Sequence, residues 1–130
     1  MIDISSSMSG RKIEQVKESL QILLDIMDER DRICLILFET HAQNYFNLNY
    51  VTKANKQILI EKINQIYSRG GTNILNGLKL AIDVIKSKCK NEKNVSSILL
   101  LSDGEDNFLN DEQLASSLKN LTKGLGLHLH

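Results

Sequence analysis

Proline and tryptophan are absent from this chain of 130 residues, and cysteine, histidine and aromatic side chains are few. Two cysteines, Cys34 and Cys89, do not make a disulfide framework. Together with three histidines they fall short of what a zinc site asks for. A reducing compartment follows as the expectation, and a cytoplasmic, intracellular chain with it. Three phenylalanines and three tyrosines give no stacking platform for a single-stranded nucleic acid. No sign of charge prevails: lysine plus arginine and aspartate plus glutamate stand at 16 each. That balance offers no electrostatic footing for nucleic acid or an anionic membrane surface. No apolar run reaches the length of a membrane span, and no secretory signal pattern is visible.

What is present is the material of one globular domain. Hydrophobic residues make up 42% of the chain, enough at this length for a single core. No repeat, low-complexity tract or linker divides it. Between residues 12 and 29, Ile13, Val16, Leu20, Leu23, Leu24 and Met27 recur at helical spacing opposite a charged face. ICLILF, at 33–38, is short, continuous and apolar, and predicts a buried strand with Cys34 in the core. YFNLNYV, at 45–51, alternates as a half-exposed strand does. The connection between them is too short for a helical crossover, so the pair is expected to run antiparallel.

Thr52 is the expected N-cap of a second helix carrying Leu59, Ile63, Ile66 and Tyr67. The glycines of SRGGTN end it, and Thr72 or Asn73 caps a third helix with Ile74, Leu78, Ala81, Ile82 and Ile85. VSSILLLSDG predicts a strand buried on both faces. Asn110 or Asp111 opens a last helix with Leu114, Leu118 and Leu121, and GLGLHLH offers one more strand. This order predicts an α/β fold: an open, doubly wound, Rossmann-like sheet, mostly parallel with one antiparallel strand, and helices on both faces.

Following the chain up and down such a sheet brings three separate segments to one end. The DISSS turn leaves the first strand there, the second helix delivers GGTN there, and the strand SILLLS ends there at Asp103. Asp3, Ser5, Ser7, Thr72 and Asp103 are therefore expected together at the carboxyl ends of the parallel strands, where open α/β sheets bind ligands. In an extended turn, positions two apart point the same way, which aligns Asp3, Ser5 and Ser7. Two carboxylates and three hydroxyls form an all-oxygen donor set, suited to a hard divalent cation such as Mg2+.

D-x-S-x-S in DISSS, the threonine of GGTN and the aspartate of LLLSDGEDN together resemble the von Willebrand factor A domain and its metal-ion-dependent adhesion site. The resemblance covers nearly the whole chain. It implies that Ser5, Ser7 and Thr72 are metal ligands, with Asp3 and Asp103 bound directly or through water. It also implies a cation, Mg2+ with Mn2+ or Ca2+ as alternatives, and a protein partner whose Asp or Glu completes the coordination. An adhesion or interaction module, and not an enzyme, is the expected function. Two features depart from the family pattern. Ser6 stands where glycine is most common, and the first strand is only two or three residues long. The expectation is a single domain over 1–130 that lacks part of the first strand and the C-terminal elements.

Blander readings stand beside this one. Asp3, Ser5 and Ser7 are also good turn and N-cap residues, and Thr72 has a capping role open to it. Glu105 and Asp106 read as surface charge, and DGEDN lacks the alternating ligands and later glutamate of an EF-hand. His128 and His130 would share one face of a strand but have no evident third ligand. A metal-dependent phosphoryl-transfer or hydrolytic enzyme using the same carboxylates is one alternative. Against it, the sequence has neither a G-x-x-x-x-G-K-[ST] loop nor a G-x-S-x-G elbow. A scaffold with a vestigial metal site is the other.

Overall fold

The structure, a computed structural model, describes residues 1–88, 96–102 and 127–129. Strand β1 (Ile2–Asp3) leads through a 3-10 turn at Ser6–Met8 into helix α1 (Arg11–Ile26). A hairpin of β2 (Arg32–Phe38) and β3 (Ala42–Tyr50) follows, then helices α2 (Lys53–Asn64) and α3 (Ile74–Lys88). Strands β4 (Ser96–Ile98) and β5 (Leu127–Leu129) complete the described elements. Cys89, the expected helix at 110–121 and His130 lie outside the described residues.

Short as it is, β1 has a neighbour on each edge. It pairs parallel with β2 through Ile2↔Leu37 and Asp3↔Phe38. On the other edge the Asp3 N–H donates to the Leu101 carbonyl at 2.9 Å, and the Leu101 N–H to the Met1 carbonyl at 3.0 Å. β3 runs antiparallel to β2, from Phe38↔Ala42 to Arg32↔Tyr50, and β5 runs parallel to β4. Among the described strands β3 alone runs antiparallel, as expected of a mostly parallel sheet, and the Ile2–Leu101 bridge links β1 to the segment after β4.

Period-two alternation in β2 divides the core into two layers. Leu35 and Leu37 join Ile13, Val16, Leu20 and Leu24 of α1 and Leu59 and Ile63 of α2. Ile36 and Phe38 point the opposite way, toward Ala81, Ile82, Ile74 and Leu78 of α3. Helices thus cover both faces, and each fully buried side chain such as Phe38 contributes about 1.5–3 kcal/mol relative to exposure. Gly77 lets α3 sit close on the sheet, because a Cβ there would come within 3.1 Å of the Phe38 ring.

Both expected caps form. The Asn55 N–H donates to the Thr52 hydroxyl at 3.1 Å and opens α2. At α3 the choice falls on Asn73, whose side-chain oxygen accepts from the Asn76 N–H at 3.2 Å. Thr72 is therefore not needed as that cap.

Two expectations are corrected. The strand read from VSSILLLS is interrupted: β4 ends at Ile98, only Leu101 bridges to β1, and Leu99 is 42% exposed. Cys34, expected in the core, is half-buried, with its Sγ 3.5 Å from the Asn44 side-chain oxygen. The reason is common to both. β1 reaches only Leu37 and Phe38, so no described strand covers the inner edge of the sheet below them.

Candidate functional site

At the carboxyl end of β1 the chain turns sharply, and its polar side chains face inward. Asp3 and Ser5 are buried almost completely, and Thr72 is 4% exposed. One Asp3 oxygen, Oδ1, accepts from the Ser5 N–H at 2.9 Å. The other, Oδ2, accepts from the Ser102 hydroxyl at 2.7 Å. The Ser5 and Ser7 hydroxyl oxygens lie 3.0 Å apart, in a hydrogen bond that either one can donate. The turn is not the extended one expected. Ser5 is extended (φ −61°, ψ 163°), but Ser6–Met8 curls into a 3-10 turn. Curling, not alternation, brings the two hydroxyls together. Ser6 lies within that turn, in backbone any L residue adopts, so serine in the glycine position distorts nothing.

A second loop is pinned onto this turn. The Ser6 N–H donates to the Gly70 carbonyl at 3.0 Å, and the Arg69 N–H to the Ile4 carbonyl at 2.6 Å. From the other side, the Thr40 hydroxyl accepts from the Gly71 N–H at 3.1 Å, and the Glu39 carbonyl accepts from the Asn73 N–H at 2.8 Å. The Asn76 side-chain amide donates to the Thr40 carbonyl at 2.9 Å. Gly70 makes the path possible with φ +72°, and a Cβ there would meet the Glu39 carboxylate at 2.7 Å. That carboxylate is already engaged by the Arg69 guanidinium at 3.2 Å.

Asp3, Ser5 and Ser7 thus form one hydrogen-bonded group, and the loop that carries Thr72 is fastened to the same turn. Asp103, with Glu105 and Asp106, lies outside the described residues. Its neighbour Ser102 is a residue that sequence reasoning missed. The only signal was a hydroxyl at the carboxyl end of an apolar run. Thr40, Glu39 and Asn76 were missed too, because their work is done across 31 or more residues of chain for the first and last of them.

The donor set is oxygen throughout. Among the described residues the ion pairs Lys17–Glu14, Arg30–Asp28 and Arg69–Glu39 all leave Asp3 aside, so this buried carboxylate has no lysine or arginine partner. A buried charge needs compensation, and two hydrogen bonds supply only part of it. Both Asp3 oxygens and both serine hydroxyls retain lone pairs beyond these bonds. The arrangement fits a hard divalent cation. Among the described residues no group of three or more His, Cys, Asp or Glu side chains gathers.

Known proteins are similar to this chain in sequence and fold. A family profile of the von Willebrand factor type A domain matches residues 1–105. Inter-alpha-trypsin inhibitor heavy chain H3 of Rattus norvegicus is 33% identical over 131 residues, covering 95% of this chain. The match takes in only 15% of that relative's length. Among solved structures, a von Willebrand factor type A protein from Catenulispora acidiphila superposes with a TM-score of 0.84 at 19% identity, over 98% of this chain and 30% of its own. Proximal thread matrix protein 1 from the mussel byssus, described with a zinc-occupied MIDAS motif, gives 0.71 at 18% identity over 98% of this chain and 33% of its own.

These relatives correct the expected compartment. The inter-alpha-trypsin inhibitor heavy chains are secreted plasma proteins and point outside the cell, against the cytoplasmic placement. Scarce cysteine misled because a domain with a core of this size folds without disulfides in either compartment.

Proposed function

Because this chain belongs to the von Willebrand factor type A domain family, we propose that it is a divalent-cation-dependent protein-binding module. Asp3, Ser5, Ser7, Thr72 and Asp103 are the proposed holders of the cation. The observation that carries the reading is Asp3, a fully buried carboxylate that no lysine or arginine among the described residues pairs with, next to two facing serine hydroxyls. The mussel protein with an occupied MIDAS motif supports it by analogy of fold.

Each residue has a distinct role in this reading. Ser5 and Ser7 present their hydroxyl oxygens, already 3.0 Å apart, as direct ligands. Asp3 takes the Ser5 N–H and the Ser102 hydroxyl, so it orients the turn and contributes charge from behind, directly or through water. Thr72 offers a third hydroxyl from the pinned loop, and Asp103 a second carboxylate. Magnesium is the proposed cation, with manganese or calcium able to substitute. When bound, it supplies a positive centre with a position open to an Asp or Glu carboxylate from a partner protein. Hydroxyl ligands leave more of that positive charge unquenched than carboxylates would, which favours an acidic partner. No turnover is part of the proposal.

The test is cation-dependent capture. The immobilised chain is exposed to a carboxylate-bearing peptide with magnesium, and again with chelator. Binding should rise with magnesium and disappear with chelator, and the gain should be lost in Thr72→Ala. A magnesium gain that survives Thr72→Ala undiminished contradicts the assignment.

A further inference from the structure

A cationic side chain on the loop that carries Thr72 is held from two sides, with its outer edge left open. Helix α2 ends at Asn64, so Tyr67 lies beyond it and not on its apolar face, and the ring is 64% exposed. The Arg69 guanidinium stacks on that ring, its carbon 4.9 Å from the ring centroid. Its Nε stands 3.2 Å from Glu39 Oε2. The main chain beneath is fixed as well. Ile66 is buried in the core, the Arg69 N–H donates to the Ile4 carbonyl, and the Gly70 carbonyl accepts from the Ser6 N–H.

Arginine offers five N–H donors in a planar fork. Glu39 takes the Nε side and the Tyr67 ring covers one face. Among the described residues nothing else pairs with this guanidinium, so Nη1 and Nη2 remain available on a side chain 41% exposed. A free surface arginine loses conformational freedom when it binds, and one already stacked and paired has lost much of it beforehand. A fork held in this way matches a carboxylate, which accepts two parallel bonds.

Local charge agrees with an acidic ligand. The chain is neutral as a whole, yet α1 leaves the Ser6–Met8 turn through Arg11 and Lys12, both exposed. Glu14 and Glu39 are each taken up in an ion pair, with Lys17 and Arg69. The main-chain bonds also place Arg69 close to the proposed cation ligands, because Ser6 lies between Ser5 and Ser7. In an extended segment, residues two apart point the same way and stand about 7 Å from each other. A segment that sets one carboxylate on the cation thus carries its next-but-one side chain toward Arg69.

We propose that Arg69 is a second carboxylate receptor beside the cation, and that the partner presents two acidic residues two positions apart, one to the cation and one to Nη1 and Nη2 of Arg69. The proposal rests on the cation-dependent reading above and adds to it the acidic pattern of the partner. Tyr67 and Glu39 hold the fork in place. Lysine does not substitute for it, being a point charge without a planar pair of donors.

The test uses the full chain with magnesium and a neutral peptide carrying Glu-Ser-Glu, beside two single-acid peptides in which one or the other glutamate is glutamine. The two-acid peptide should bind at least about tenfold more tightly than either. Arg69→Gln should abolish that preference, Arg69→Lys should lose most of it, and Tyr67→Ala part of it. Manganese, titrated by water-proton relaxation, should bind the Arg69 variants as it binds the unaltered chain, which a collapsed loop would not allow. Manganese binding with equal affinity for all three peptides, or a preference that survives Arg69→Gln, overturns this proposal and leaves the cation reading standing. Failure of the unaltered chain to bind manganese overturns both.

Discussion

Asp3 does two things that separate by substitution. Its carboxylate satisfies the buried Ser5 N–H and the Ser102 hydroxyl, and it carries a charge. Asp3→Ala removes both and leaves the buried Ser5 N–H without this acceptor, a loss of about 1–3 kcal/mol if it stays dry. Asp3→Asn loses the charge and keeps one acceptor oxygen for the Ser5 N–H, while its NH2 group faces the Ser102 hydroxyl, which can turn to accept. Urea denaturation without metal should therefore show Asp3→Ala clearly destabilised and Asp3→Asn closer to the unaltered chain. Gly70→Ala is a second residue-scale prediction. A positive φ and a Cβ driven toward the Glu39 carboxylate should cost about 1 kcal/mol or more in the same assay. At this scale the D-x-S-x-S pattern was legible, because a local turn brings neighbours in sequence together. Ser102 was not: its bond to Asp3 spans 99 residues, and nothing local encodes it.

Elements were legible where one stretch of sequence decides them. The spacing of Ile13, Val16, Leu20 and Leu24 specifies α1, and the Thr52 hydroxyl starts α2. Thr52→Ala should lower stability by about 1 kcal/mol, measured as a shift in the urea midpoint with unchanged slope. β4 was misread because a strand's length depends on its neighbour, and β1 pairs with only Leu37 and Phe38 of β2.

For the whole molecule, topology was readable from the alternation of elements, since short connections and right-handed crossovers leave few arrangements. It placed DISSS and GGTN together before any distance was known, and the backbone bonds from Ser6 to Gly70 and from Arg69 to Ile4 realise that placement. Compartment was not readable, because the same apolar core folds inside or outside the cell. If the turn holds a cation, the metal couples segments far apart in sequence and should stabilise the fold as one unit. At a free concentration of a hundred times the dissociation constant the gain is about 2.7 kcal/mol, seen as a rise in melting temperature that Thr72→Ala loses.

The most direct measurement is a manganese titration followed by water-proton relaxation, on the folded chain and on Asp103→Ala, each checked by circular dichroism. One site is expected in the unaltered chain, competed by magnesium and lost in the variant. A folded chain that binds no manganese, or a variant that binds it equally well, would contradict it.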